Sequence, residues 1–144
     1  MEQPHFVLAV LLVRGRYALQ LRDDKPDICA PNVWGLFGGR VEDGENAALA
    51  IAREVEEELC IRADSFRFFW ETDNFNPMLA AVAHYTVFEA EVTAQWAQHR
   101  LTEGQRAEHF AFEELAPLAM PPLIREILAR HHAKMMLQSP QPGA

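Results

Sequence analysis

From Asn46 to Cys60 the chain places Ala47, Ile51, Val55 and Leu59 at four-residue intervals, with Ala48 and Ala52 beside them. That spacing draws one apolar stripe down a helix, and the stripe has to be buried against something. Asn46 offers a side-chain oxygen to the first free N–H groups, so the spacing predicts a helix over 46–60. Its opposite face is unusual. Residues 53–59 read REVEEEL, one arginine among four glutamates, and on a helix Glu54, Glu57 and Glu58 share a side. Like charges one turn apart cost roughly a few tenths of a kcal/mol per pair, and the dipole near the helix C-terminus adds a similar penalty.

A solvated acidic face is the plain alternative, but such faces usually mix lysine or arginine among the glutamates. Here local preference is overruled, which is where functional sites are expected. A divalent cation is the simplest compensation. Clustered carboxylates suit Mg²⁺, which keeps several waters and bridges protein oxygens to substrate phosphates.

The flanking segments specify an α+β domain. HFVLAVLLV (5–13) and RYALQLR (16–22) read as strands joined by a short Arg14–Gly15 turn. A loop with two prolines and three aspartates follows (DDKPDICAPN), then WGLFGGRVEDGE, short extended pieces broken at Gly35 and Gly38–Gly39. Residues 66–71 and 79–92 are rich in strand formers, and 107–112 is a further short strand. Residues 95–105 read as a loop, with a short helix around Trp96 as the alternative. Pro121–Pro122 opens a last amphipathic helix with Leu123, Ile124, Ile127 and Leu128 on its buried face. His131 and His132 are expected to close that helix, where its dipole favours them. One domain over 1–136 and a disordered tail over 137–144 is the expected organisation.

Gly39 is followed after five residues by Glu45, and after seven more by Arg53-Glu54-Val55-Glu56-Glu57-Glu58-Leu59-Cys60-Ile61. This closely resembles the signature of the Nudix hydrolases, matching it at Gly39, Glu45, Arg53, Glu54, Glu57 and Glu58. At roughly one in fifteen per position and about a hundred registers, chance gives such a match on the order of once in a hundred thousand chains. One position departs: Cys60 stands where the family has the glycine that ends the helix in a left-handed conformation.

The resemblance implies the Nudix fold, a mixed β-sheet between α-helices, and hydrolysis of a pyrophosphate bond in a nucleoside diphosphate linked to another group. A nucleoside triphosphate or a nucleotide sugar would be such a substrate. It assigns Glu54, Glu57 and Glu58 to Mg²⁺, with Mn²⁺ as the substitute. Arg53 resembles the arginine that holds the glutamate cluster, with Glu45 as a candidate partner; an ordinary pair with Glu56 or Glu57 is the alternative. Two residues stand as general-base candidates, Glu58 and Glu103, the latter flanked by Gly104 in a loop of the expected placement. Gly38–Gly39 offers close backbone approach and N–H groups to an anion. Arg22, at the end of the second strand, can reach a phosphate or simply face solvent. Trp34, Phe37, Trp70 and Phe75 are base-stacking candidates, although aromatics in strands more often belong to the core. A catalytically silent nucleotide-binding sensor on the same fold is the runner-up reading; it predicts a damaged glutamate set, and this set is intact.

Composition narrows the partners. The formal charge is −8, which disfavours polymeric nucleic acid and anionic lipid. The apolar run Phe6–Val13 is too short to span a bilayer. Glu2 stands where a signal peptide carries positive charge, and Cys29 and Cys60 have no metal-like spacing, so a cytoplasmic chain with reduced thiols is expected. The apolar first strand offers an interface for a homodimer.

Overall fold

His5–Val13 forms β1 and Arg16–Leu21 forms β2, joined through Arg14 and Gly15 at φ of 52° and 76°. Two successive positive φ values give the turn hand that matches strand twist, so the hairpin closes tightly. Leu11, Leu12 and Val13 pair with Ala18, Tyr17 and Arg16, after which the two strands part. The segment carrying β3 (Trp34–Gly35) and β4 (Phe37–Arg40) fills the gap, β3 on β2 and β4 on β1. Thus the glycine pair is woven into the sheet. The structure, a computed structural model, describes residues 3–26 and 31–138; Cys29 lies outside them.

Among the described residues seven strands make one mixed sheet, β3-β2-β1-β6-β5, with β4 on β1 and β7 (Arg106–Phe110) on β2. β6 (Ala81–Glu91) runs parallel to β1, and β5 (Arg67–Asn76) pairs antiparallel with β6. β5 runs five residues past the expected end because Thr72–Asn76 find partners at Ala81–Tyr85, pairing that its polar sequence does not announce. β1 is central and buried on both faces, which explains its unbroken apolar run. Val7 and Ala9 to Val13 are therefore core, while Phe6 and Leu8 are half-buried.

Helices cover both faces. Val7, Ala9, Leu11 and Val13 pack with Ile51, Val55 and Leu59 of α1 (Ala47–Leu59). Val10 and Leu12 pack with Ile124, Ile127 and Leu128 of α3 (Pro122–Gln138). A four-residue α2 (Thr93–Trp96) and a 3₁₀ turn (Phe112–Glu114) complete the connections. α3 continues to Gln138, so the first two residues of the expected tail are helical. His131 and His132 sit within that helix, not at its end. His131 is fully buried, held between the Tyr17 hydroxyl and Glu89, each at 2.9 Å, and His132 stacks on Phe112. Among the described residues no helix is long and apolar enough to cross a membrane.

Candidate active site

Asn46 caps α1 as its sequence predicts, its side-chain oxygen accepting from the Leu49 N–H at 2.8 Å. At the other end Cys60 takes φ 58° and ψ 31° and donates its N–H to the Glu56 carbonyl. The left-handed ending survives without glycine, with a Cβ where the backbone prefers none. Cys60 is exposed and unbridged.

Arg53 is committed to its neighbours. Its Nε and Nη2 donate to the two oxygens of Glu45 at 2.8 and 2.9 Å, a fork that matches carboxylate geometry. Nη1 reaches Glu54 at 2.8 Å and Glu57 at 3.3 Å, and Nη2 also donates to the Arg40 carbonyl. The guanidinium hydrogen bonds hold Glu45 down to about 2. Glu56 pairs instead with Arg62 and stays on the outer face. Arg53 therefore ties the glutamate face to the loop before α1 and to β4.

Each glycine of the pair makes a close approach to a neighbouring element. The Gly38 N–H donates to Glu58 Oε1 at 3.0 Å and so is already engaged. A Cβ on Gly38, whose φ is 154°, would drive into the Val7 carbonyl of the adjoining strand. A Cβ on Gly39 would collide with the Glu54 carboxyl. Both glycines are explained by close approach, one to β1 and one to α1.

Glu58 is the most perturbed acid of the group. Withdrawal from water pushes its carboxyl up to about 8; the Gly38 N–H and Gln20 oppose this, while the charges of Glu54 and Glu103 reinforce it. Burial raises Glu54 as well, against Arg53 and with the charge of Glu57. Withdrawal from water is the main cause of both shifts, and the neighbouring carboxylates add to it. Glu103 joins from the loop 100–104, whose Arg100 and Thr102 N–H groups donate to the Leu59 and Glu58 carbonyls. Sequence proximity gave no hint of that junction.

Glu54, Glu57, Glu58 and Glu103 line one cavity of about 850 Å³. Phe6, Leu8 and Tyr85 line it from the α3-side face of the sheet, Gln20 lines it beside Glu58, and the first turn of α3 forms a wall. Phe6 and Tyr85 stack with ring centroids 5.5 Å apart, and Asn76 donates to the Tyr85 hydroxyl at 3.2 Å. Arg22 lines the same space, with Gly38 and Gly39. Of the aromatics singled out in the sequence, Trp34 and Phe37 are core, Trp70 packs under Arg130, and Phe75 is exposed beside the cavity. Among the described residues no three His, Cys, Asp or Glu side chains are gathered tightly enough to enclose an ion. The donor chemistry nonetheless suits a hard cation, since every acidic group facing the cavity offers oxygen.

Sequence reasoning passed over Gln20, Thr102, Phe6 and Tyr85. Gln20 left no trace, because alternation along β2 sets it with Arg16, opposite the apolar Tyr17, Leu19 and Leu21.

A family model for the NUDIX domain matches residues 3–131. No curated protein matches the chain. Among solved structures, the MutT protein from Methanosarcina mazei Go1 superposes with a TM-score of 0.78 at 22% identity, covering 94% of this chain and 98% of that one. The E. coli ORF135 protein gives 0.76 at 21% identity, covering 100% and 96%. The NUDIX domain of Shewanella oneidensis NrtR, complexed with ADP ribose, gives 0.77 at 13% identity, covering 94% and 90%. With a family model spanning nearly its whole length and a glutamate helix facing the cavity, this chain belongs to the Nudix family.

Proposed function

We propose that the protein is a divalent-metal-dependent hydrolase of a phosphoanhydride bond in a nucleotide, a nucleoside triphosphate or a nucleotide sugar. The observation that carries this reading is the meeting of four glutamates from two separated segments, Glu54, Glu57, Glu58 and Glu103, on one cavity with an aromatic floor. Glu54, Glu57 and Glu58 would hold Mg²⁺ or Mn²⁺. Such an ion, when bound, offsets phosphate charge and makes the phosphorus a better electrophile. The chain's own residues do the rest. Arg53 keeps Glu54 and Glu57 aligned from outside the cavity. Glu58 and Glu103 are the two groups able to take a proton from the water that attacks phosphorus. Phe6 and Tyr85 offer a flat apolar surface to a base, and Arg22 lies where it can meet a phosphate.

The test is incubation with nucleoside triphosphates, nucleotide sugars and dinucleoside polyphosphates, with and without Mg²⁺, while orthophosphate, pyrophosphate and monophosphates are followed. Hydrolysis of at least one class, abolished by chelation, is the expected result. Undiminished turnover without divalent ions refutes the mechanism, and binding without turnover favours a sensor.

A further inference from the structure

Gln20 stands one residue before the end of β2, 5% exposed, after Tyr17, Ala18 and Leu19 of the apolar core. Its amide Nε2 donates to the Leu36 carbonyl at 3.4 Å and to Glu58 Oε2 at 3.2 Å. The other Glu58 oxygen accepts from Gly38 at 3.0 Å. The amide oxygen of Gln20 faces the opposite way, against Gly104, where a Cβ would lie 3.3 Å from it. One side chain thus touches the β3–β4 link, the acidic helix and the loop that carries Glu103.

We propose that Gln20 is a positioning residue, which fixes the Glu58 carboxylate, and the Glu103 loop behind it, in the arrangement the reaction requires. The inference rests on the hydrolase reading above. Its physical basis is the choice of an uncharged donor. A lysine or arginine in this place would neutralise Glu58 and compete with any cation the cavity admits. Leucine would leave one carboxylate oxygen without its partner and the side chain free to turn. An amide orients the carboxylate while leaving its charge in place, and each bound oxygen keeps a second lone pair for another contact. The Gly38 N–H fixes one oxygen and Gln20 the other, so the pair defines the plane of the carboxylate. Neither contact alone does so.

Gln20→Met keeps the volume of the side chain and removes both polar ends; Gln20→Glu keeps its shape and turns the donor into an acceptor. With the nucleotide that the wild type hydrolyses fastest, at saturating Mg²⁺, both variants should lose about 10- to 100-fold in kcat with KM little changed. A crystal structure of metal-free Gln20→Met should show the Glu58 side chain in more than one rotamer, or turned away from the Gly38 N–H. Wild-type kcat in either folded variant overturns the proposal. So does a loss that falls on KM, which would make Gln20 a substrate contact, or an unmoved Glu58 in the crystal. If the wild type hydrolyses no nucleotide, the hydrolase reading fails, and the crystallographic comparison still decides whether Gln20 holds Glu58.

Discussion

The hydroxyl of Thr102 donates to the main-chain carbonyl of Glu57 at 2.8 Å, joining residues forty-five positions apart. The Thr102 N–H completes the contact on the Glu58 carbonyl at 3.0 Å. A helix leaves its last carbonyls without intrahelical partners. Here Thr102, in the loop that carries Glu103, supplies partners to two of them, so capping α1 and delivering Glu103 to the cavity are one structural event. Thr102→Val removes the hydroxyl while keeping the shape. It should destabilise the fold by about 1 kcal/mol in urea unfolding and lower kcat, as Glu103 loses its anchor. Unchanged kcat would separate the cap from the chemistry.

Glu57→Gln and Glu58→Gln should each reduce turnover by roughly 10²-fold or more while circular dichroism and unfolding midpoint stay near wild type. Both side chains line the cavity, and neither belongs to the apolar core. Near-normal turnover in either variant would remove that residue from the proposed machinery.

Gly38→Ala and Gly39→Ala should part company. The added methyl at Gly38 meets the Val7 backbone in the sheet, where nothing can give, so stability falls. At Gly39 it meets the end of the Glu54 side chain, which can swing away. Gly39→Ala should therefore fold and bind Mn²⁺ more weakly in a calorimetric titration. Equal effects of the two substitutions on both stability and metal affinity would contradict this division.

Cys60→Gly should stabilise the protein by about 1 kcal/mol, because φ of 58° is strained for a side-chain-bearing residue and open to glycine. Urea unfolding under reducing conditions measures it. A destabilised variant would mean that the thiol makes packing contacts that outweigh the strain.

The His131–Glu89 pair should contribute stability that falls on acidification, starting near neutrality, while Glu58, raised to about 8, contributes the opposite slope. Burial holds the His131 imidazole below its ordinary value of 6.5, although Glu89 pulls it upward. Burial by itself pushes Glu89 up, but Lys134 and His131 outweigh it and hold the carboxyl below its usual 4.5. Both folded-state pKa values are thus depressed, so the unfolded chain binds protons first as pH drops. The stabilisation is complete above about pH 6.5 and is lost progressively below it, His131 first and Glu89 later. The difference in urea midpoint between wild type and His131→Phe, in which the Glu58 slope cancels, should shrink from pH 8 to pH 4. A difference that grows from pH 7 to pH 5 would reverse the assignment.

Much of the fold was legible in short windows. β1 matches its expected limits, and the cap at Asn46 and the turn at Arg14–Gly15 sit where local chemistry puts them. These features depend on residues a few positions apart, and periodicity reports them directly. The second half of β5 did not announce itself, since its polar residues become strand only by pairing with β6. The last helix was misjudged for a related reason. His131 looks like a terminal residue in sequence, but Tyr17 and Glu89, brought in by two other strands, make it core.

By itself, then, the sequence determined the acidic helix, its spacing from the glycine pair and the elements on either side, because each is written in local order and turn-by-turn geometry. Only the tertiary structure decided that the Gly38 N–H donates to Glu58, that Gln20 holds the other oxygen, and that Thr102 brings Glu103 alongside. Those relations depend on where separate segments meet once α1 is buried on the sheet, and no periodicity in the chain encodes a meeting point.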